Sequence, residues 1–158
     1  MGRIYTASVT GTAVTAAVDL CEIVPPAGRI VVLHGWDINQ TTDFGDAQDE
    51  VLGLLLKRGS SGSTSGSGGS TPTPAPHETN QGAAGSTTEM MNTTQAVAGG
   101  GTLTTIWTTS WNVRAGDYRV LTPEMRHVFG PSERLILSQT APADSITMNV
   151  SIFFEEIG

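Results

Sequence analysis

Between Gly59 and Gly101 lie 43 residues that offer almost nothing to bury. From Gly59 to Pro76 (GSSGSTSGSGGSTPTPAP) every residue is Gly, Ser, Thr or Pro except Ala75, and none is charged. Such a segment cannot recover its ordering entropy from its own apolar contacts. A structureless stretch of this length is also unusual inside a compact domain. The expectation is a single domain, 1–158, in which 59–101 is an extended arm inserted between two strand blocks and fixed by another protein surface.

The flanking blocks, 115 residues once the 43 are set aside from 158, are long enough for one core. Ile4–Val9 and Ala13–Ile23 are rich in Val, Thr and Ala, with Gly11 read as the turn between two strands. Pro25-Pro26-Ala27-Gly28 breaks the chain. A long strand follows over Arg29–Gln40, with Ile30, Val32, His34, Trp36 and Ile38 on one face. Val51–Arg58 is short enough for a buried strand. After the insert, Leu103, Thr105, Trp107, Thr109, Trp111 and Val113 alternate with polar residues, and short strands follow at Asp117–Leu121 and Arg134–Gln139. Ile146, Met148, Val150, Ile152 and Phe154 make a last strand with one wet face. No segment holds a 3.6-residue period, so the expected fold is all-β: an antiparallel sandwich, jelly-roll-like, of about eight strands.

Charge narrows the function classes. A net charge of −7 and a single lysine, Lys57, argue against binding a phosphate backbone, which needs clustered cations. No apolar run approaches the roughly 18 residues of a membrane span, and MGRIYTASVTG lacks the apolar core of a secretory signal. The expectation is therefore no nucleic-acid partner and no membrane.

Candidate chemistry is sparse. No lysine follows the insert's glycines and no helix opens after them, so a phosphate loop is not expected. Asp43, Asp46, Asp49 and Glu50 read as a solvated acidic loop, with a loose calcium site as the alternative. His34, His77 and His127 share no metal-ligand spacing, and His34 reads as a hydrogen-bonded, half-buried residue. Lone Cys21, among Val18, Leu20 and Ile23, reads as a small buried hydrophobe. No catalytic set carries a supporting motif, so no enzyme, cofactor or metal is expected. Trp36, Trp107 and Trp111 read as core, with a sugar-stacking platform or subunit interface as alternatives. Pro72, Pro74 and Pro76 favour polyproline II, which cannot enter a sheet and can reach across a neighbour. Met90 and Met91 read either as an anchor plugging a neighbouring subunit or as packing on the parent domain. The candidate partner interface is thus Pro72, Pro74, Pro76, Met90, Met91 and Trp107.

Three stretches, RIYTASVTGTAVTAAVDL, GSGGSTPTPAP and APADSITMNVSIFFEEIG, cover the two ends and the middle of the chain. In them the sequence resembles small virion-associated structural proteins of tailed bacteriophages and prophages. The resemblance implies a virion structural protein assembled in the host cytoplasm, most naturally a capsid decoration (cement) protein. It also implies a homo-oligomer, a trimer by expectation, that meets the major capsid protein or other virion subunits. The alternatives are a carbohydrate-binding or adhesive module of the virion, using Trp36 or Trp107, and a tail-tube or filament subunit.

Overall fold

The computed structural model describes residues 2–42 and 49–158, which form two antiparallel sheets packed face to face. In chain order the strands are β1 (Arg3–Val14), β2 (Val18–Val24), β3 (Ile30–Gln40), β4 (Val51–Gly59), β5 (Ala75–Pro76) and β6 (Thr87–Asn92). They continue as β7 (Leu103–Asn112), β8 (Asp117–Val120), β9 (Val128–Phe129), β10 (Arg134–Gln139) and β11 (Ile146–Ile157), with one 3₁₀ turn at Pro123–Met125. The first sheet runs β5-β1-β11-β3-β8, with β9 also on β3; the second runs β6-β2-β10-β4-β7. Neither sheet closes on itself, so the all-β sandwich expected from the periodicity is the observed architecture. The strands outnumber the expected eight because β5 and β6 arise inside the insert and β9 is only two residues long.

β11 shows how sequence writes the core. Ile146, Met148, Val150, Ile152 and Phe154 are all fully buried, as a strand with one wet face requires. Opposite them, β2, β4 and β10 supply Leu20, Cys21, Ile23, Leu52, Leu54, Leu56, Leu135 and Leu137. Each such side chain contributes about 1.5–3 kcal/mol on burial. Among these residues, burial drives the Cys21 thiol pKa up and leaves it inert at neutral pH.

Bulges correct the strand faces read from strict alternation. Gly11 is not a turn: β1 runs through it, and its pairing with β11 skips register between Val9 and Thr12. The chain reverses instead between Val14 and Val18. In β3 the register against β11 slips at Gly35, so Phe153 faces Gly35 and Phe154 faces Leu33. One extra residue moves the inward set from Ile30, Val32 and His34 to Val31 and Leu33, while Trp36 and Ile38 stay buried. β7 has a similar slip, with Leu56 opposite Trp107 but Lys57 opposite Thr105.

The insert is not an extended arm. Its two limbs zip together through antiparallel bridges at Thr64–Val97, Ser67–Thr94 and Ser70–Met90. Its glycines provide close backbone approach rather than free motion: a Cβ at Gly62 would sit 2.9 Å from the Gly101 nitrogen, and one at Gly66 would sit 2.6 Å from the Thr94 carbonyl oxygen. β6 enters the second sheet beside β2, and Ala75–Pro76 pairs with Thr6 and Tyr5 at the edge of the first. Proline does enter this sheet, at the edge position where a missing donor is tolerated.

Gly35 generates a prediction. A Cβ there would overlap the Arg119 carbonyl of β8. Gly35→Ala is expected to cost about 1–3 kcal/mol by overpacking, with exchange protection lost first in β8, measurable by thermal unfolding and amide hydrogen exchange.

Candidate functional site

Most of the residues proposed to meet a neighbour are occupied within their own subunit. Met90 and Met91 are buried in the sandwich core, because β6 pairs with β2 and carries them inward. They anchor the parent domain and plug no neighbour. Pro74 is buried, Pro72 is half-buried and its carbonyl accepts the Thr88 hydroxyl at 2.6 Å, and Pro76 lies in β5. The proline run therefore packs on its own domain instead of reaching away. Trp107 is half-buried, with its ring 5.4 Å from that of Trp36. Trp36 and Trp111 are buried, which removes Trp36 as a sugar-stacking platform.

The remaining polar candidates also have internal partners. His34 is half-buried and bonds Glu155 at 3.0 Å; His77 contacts the Thr6 hydroxyl at 2.6 Å. Burial, reinforced by the charge of Arg58, lowers the pKa of His127, whose ring lies 6.1 Å from that of Trp107. Asp43 and Asp46 of the proposed calcium loop lie outside the described residues. Asp49 pairs with Arg114 at 2.6 Å, and Glu50 accepts the Ala143 amide at 2.8 Å.

The insert is held by three buried carboxylates that the sequence reading did not single out. Asp19 and Glu22 are fully buried on β2 and share its outer side, because an extra residue at Leu20 shifts the register against β10. Glu22 accepts the Ser65 hydroxyl at 2.6 Å, the Gly66 amide at 3.0 Å and the Arg134 guanidinium. Asp19 accepts the Ala96 amide and the Ser138 hydroxyl, both at 2.6 Å. Glu22 thus takes the outgoing limb and Asp19 the returning one. Beneath them Ile136, which pairs with Glu22, is buried outside the central core. The third carboxylate, Glu156, continues the inward alternation of β11 and accepts Ser86 N at 2.7 Å, Gly85 N at 3.1 Å and Arg29 at 3.0 Å. The available signal was a charged residue at positions where the apolar pattern demands burial: Asp19 and Glu22 within VDLCEIV, and Glu156 two residues beyond Phe154.

The pKa values of Asp19 and Glu156 are shifted in opposite directions. Burial raises the pKa of Asp19, and hydrogen bonds from Ser138 and Ala96 offset only part of that. Burial would raise Glu156 too, but the bonds from Ser86, Gly85 and Arg29 outweigh it and hold the carboxyl below the usual glutamate range.

What the insert covers defines what remains open. On one side of the sandwich it adds to both sheets: β5 pairs with Tyr5 and Thr6 of β1, β6 lies along β2, and Ser70 exchanges both backbone hydrogen bonds with Met90 at 2.8 and 2.9 Å. On the opposite side β7 and β8 end their sheets. Among the described residues, no strand lies beyond them. β7 is ten residues long, LTTIWTTSWN, with no charge and no proline. Natural edges are normally blunted by one or the other. On the neighbouring sheet, the strip from β8 to β9 exposes Tyr118 (70%), Val120 (59%), Met125 (54%) and Val128 (44%), with Tyr118 edge-on to Phe153. The edges are held rigid from within. The Arg119 guanidinium lies 5.6 Å from the Trp36 ring and 5.2 Å from that of Trp107, while Asp117 pairs with Arg119 at 2.9 Å and accepts the Trp36 indole N–H at 2.6 Å. This open side is the candidate interaction surface, and Trp107 supports it from behind.

No family model, curated protein or solved structure matches this chain.

Two predictions follow from the carboxylates. Glu22→Ala removes the acceptor for Gly66 and the nearer acceptor for Ser65, and leaves Arg134 with only its bonds to Ser63. Hydrogen exchange should accelerate at Gly66 and across Ser60–Ser70 while β4 and β11 keep their protection, since bonds to a charged group are worth about 1.5–3 kcal/mol each. Glu156, with its lowered pKa, contributes stability that is present above the usual glutamate range and lost as pH falls through its folded value. Glu156→Gln should therefore be less stable than wild type at pH 7 and show a shallower fall in stability on acidification, measured by urea unfolding at stepped pH.

Proposed function

We propose that this chain is a structural subunit of a bacteriophage particle, a decoration protein of the capsid shell that works by association with copies of itself and with shell subunits. One observation carries the reading: the insert adds a strand to each sheet on one side of the sandwich, whereas on the other β7 is left as a long, uncharged edge, with an apolar strip exposed on the neighbouring sheet. An edge of that kind is a template for a strand from another chain. Exposed Tyr118, Val120, Met125 and Val128 add apolar area of the sort that marks interaction surfaces. The resemblance of the two termini and the central GSGGSTPTPAP to virion-associated proteins supplies the biological setting.

In this reading the insert does not grip neighbours. Its task is internal: it closes one side so that association is confined to the other, which limits the ways copies can meet. Weak contacts repeated over many copies on a shell gain strength through multivalency. The sugar-binding alternative loses support because Trp36 is buried and Trp107 faces it.

The test is direct. Particles purified from cells carrying the gene are expected to contain the chain in many copies, and cryo-electron microscopy should place it on the shell with β7 or β8 against a neighbour. Particles free of the chain, or density showing the insert as the only contact, would overturn the proposal.

A further inference from the structure

We infer that β7 pairs antiparallel with β7 of a second copy across a two-fold axis, joining the two five-stranded sheets into one of ten strands. This deepens the assembly reading of the open side and rests on it.

Length selects the partner. β7 offers ten residues of edge, whereas β8, β9 and β5 offer four, two and two, β6 is bridged at Met90 by Ser70, and the stretch of β1 left uncovered by β5 is broken by the register shift between Val9 and Thr12. A ring in which β7 of one copy met β8 of the next would leave most of β7 uncovered. Among the described strands, the one open edge equal in length to β7 is β7 itself, and a strand that meets its own copy does so about a two-fold axis.

Charge selects the direction. Along Leu103–Asn112 there is no charged residue, so two copies place no like charges opposite one another. Beside the N-terminal end of β7 stand Lys57 and Arg58, opposite Thr105 and Thr104, with Glu133 3.8 Å from Arg58. Beside the C-terminal end stand Asp49 and Glu50, just before Val51 opposite Asn112, with Arg114 on Asp49. Among these described residues, one end therefore carries two cations and one anion, and the other two anions and one cation. Antiparallel pairing sets the cationic end of each copy against the anionic end of the other; parallel pairing would set like ends together.

Side-chain chemistry fits the same arrangement. Directly opposed residues of an antiparallel pair share a face, so with the exposed Thr108 at the axis Thr108 meets its own copy, and Thr104 and Ser110 fall opposite the uncharged Asn112 and Ile106 of the second copy. The inward Trp107 and Trp111 keep their places in each core. With Thr108 at the axis the paired stretch would extend for about 30 Å, about nine residues at roughly 3.3 Å each.

The experiment uses the full chain. Light scattering on a sizing column should give twice 16.5 kDa. Thr108→Cys, treated with a short bis-maleimide, should give a covalent dimer that wild type does not, because Cys21 is fully buried. Thr108→Lys, whose circular dichroism should match wild type, puts two like charges at the axis and should yield monomer. Raising salt should weaken the wild-type dimer. A monomeric wild type at high micromolar concentration, a dimer that survives Thr108→Lys, or a dimer whose Thr108→Cys form does not crosslink would each overturn the two-fold pairing. Presence of the chain in particles is read separately, so either proposal can fail while the other stands.

Discussion

A carboxylate buried in a β-sandwich is costly unless it is given hydrogen bonds in return, and this molecule uses that cost to place more than a quarter of its chain. Asp19, Glu22 and Glu156 lie where apolar residues would otherwise be, and each is satisfied by backbone amides of the insert. The bargain is mutual. The insert has little apolar surface of its own, so charge-assisted bonds do for it what core burial does for the strands. Arg134 and Arg29 pair with two of the three carboxylates, Glu22 and Glu156, beneath the covering layer.

Edge management follows from that anchoring. Once the limbs are pinned, β5 and β6 fall beside β1 and β2, and Ser70 closes the outer edge of β6. The opposite edges receive no such cover among the described residues, and β7 lacks the charges, prolines or shortness by which soluble proteins usually protect themselves. The Trp36–Arg119–Trp107 stack keeps this side stiff. A stiff, open edge loses less entropy on pairing than a mobile arm would. That difference is the reason the proposed seat of association is the far side of the sandwich and not the insert.

Much of the scaffold was legible in the residues. The alternation in β11 foretold five buried side chains, and the apolar runs at Val51–Arg58 and Arg134–Gln139 fell on β4 and β10. Errors came where one extra residue breaks the period. A bulge at Gly35 reverses which of Val31 and Val32 faces the core, and Gly11 continues a strand that a glycine would ordinarily end. The candidate site was read least well. Met90 and Met91 looked stranded because β2, which buries them, lies some 70 residues away in the sequence.

The sequence by itself determined the architecture: an antiparallel sandwich with a wet face on most strands. A period of two is written in adjacent residues and needs no distant partner to be read. Only the tertiary structure decided the path of the glycine- and serine-rich insert. Its holding bonds join Glu22 to Gly66, Glu156 to Ser86 and Asp19 to Ala96, across 44, 70 and 77 residues. Composition records how little such a segment can bury, but the acceptors that fix it lie on other strands and come within reach only when the sheets have packed.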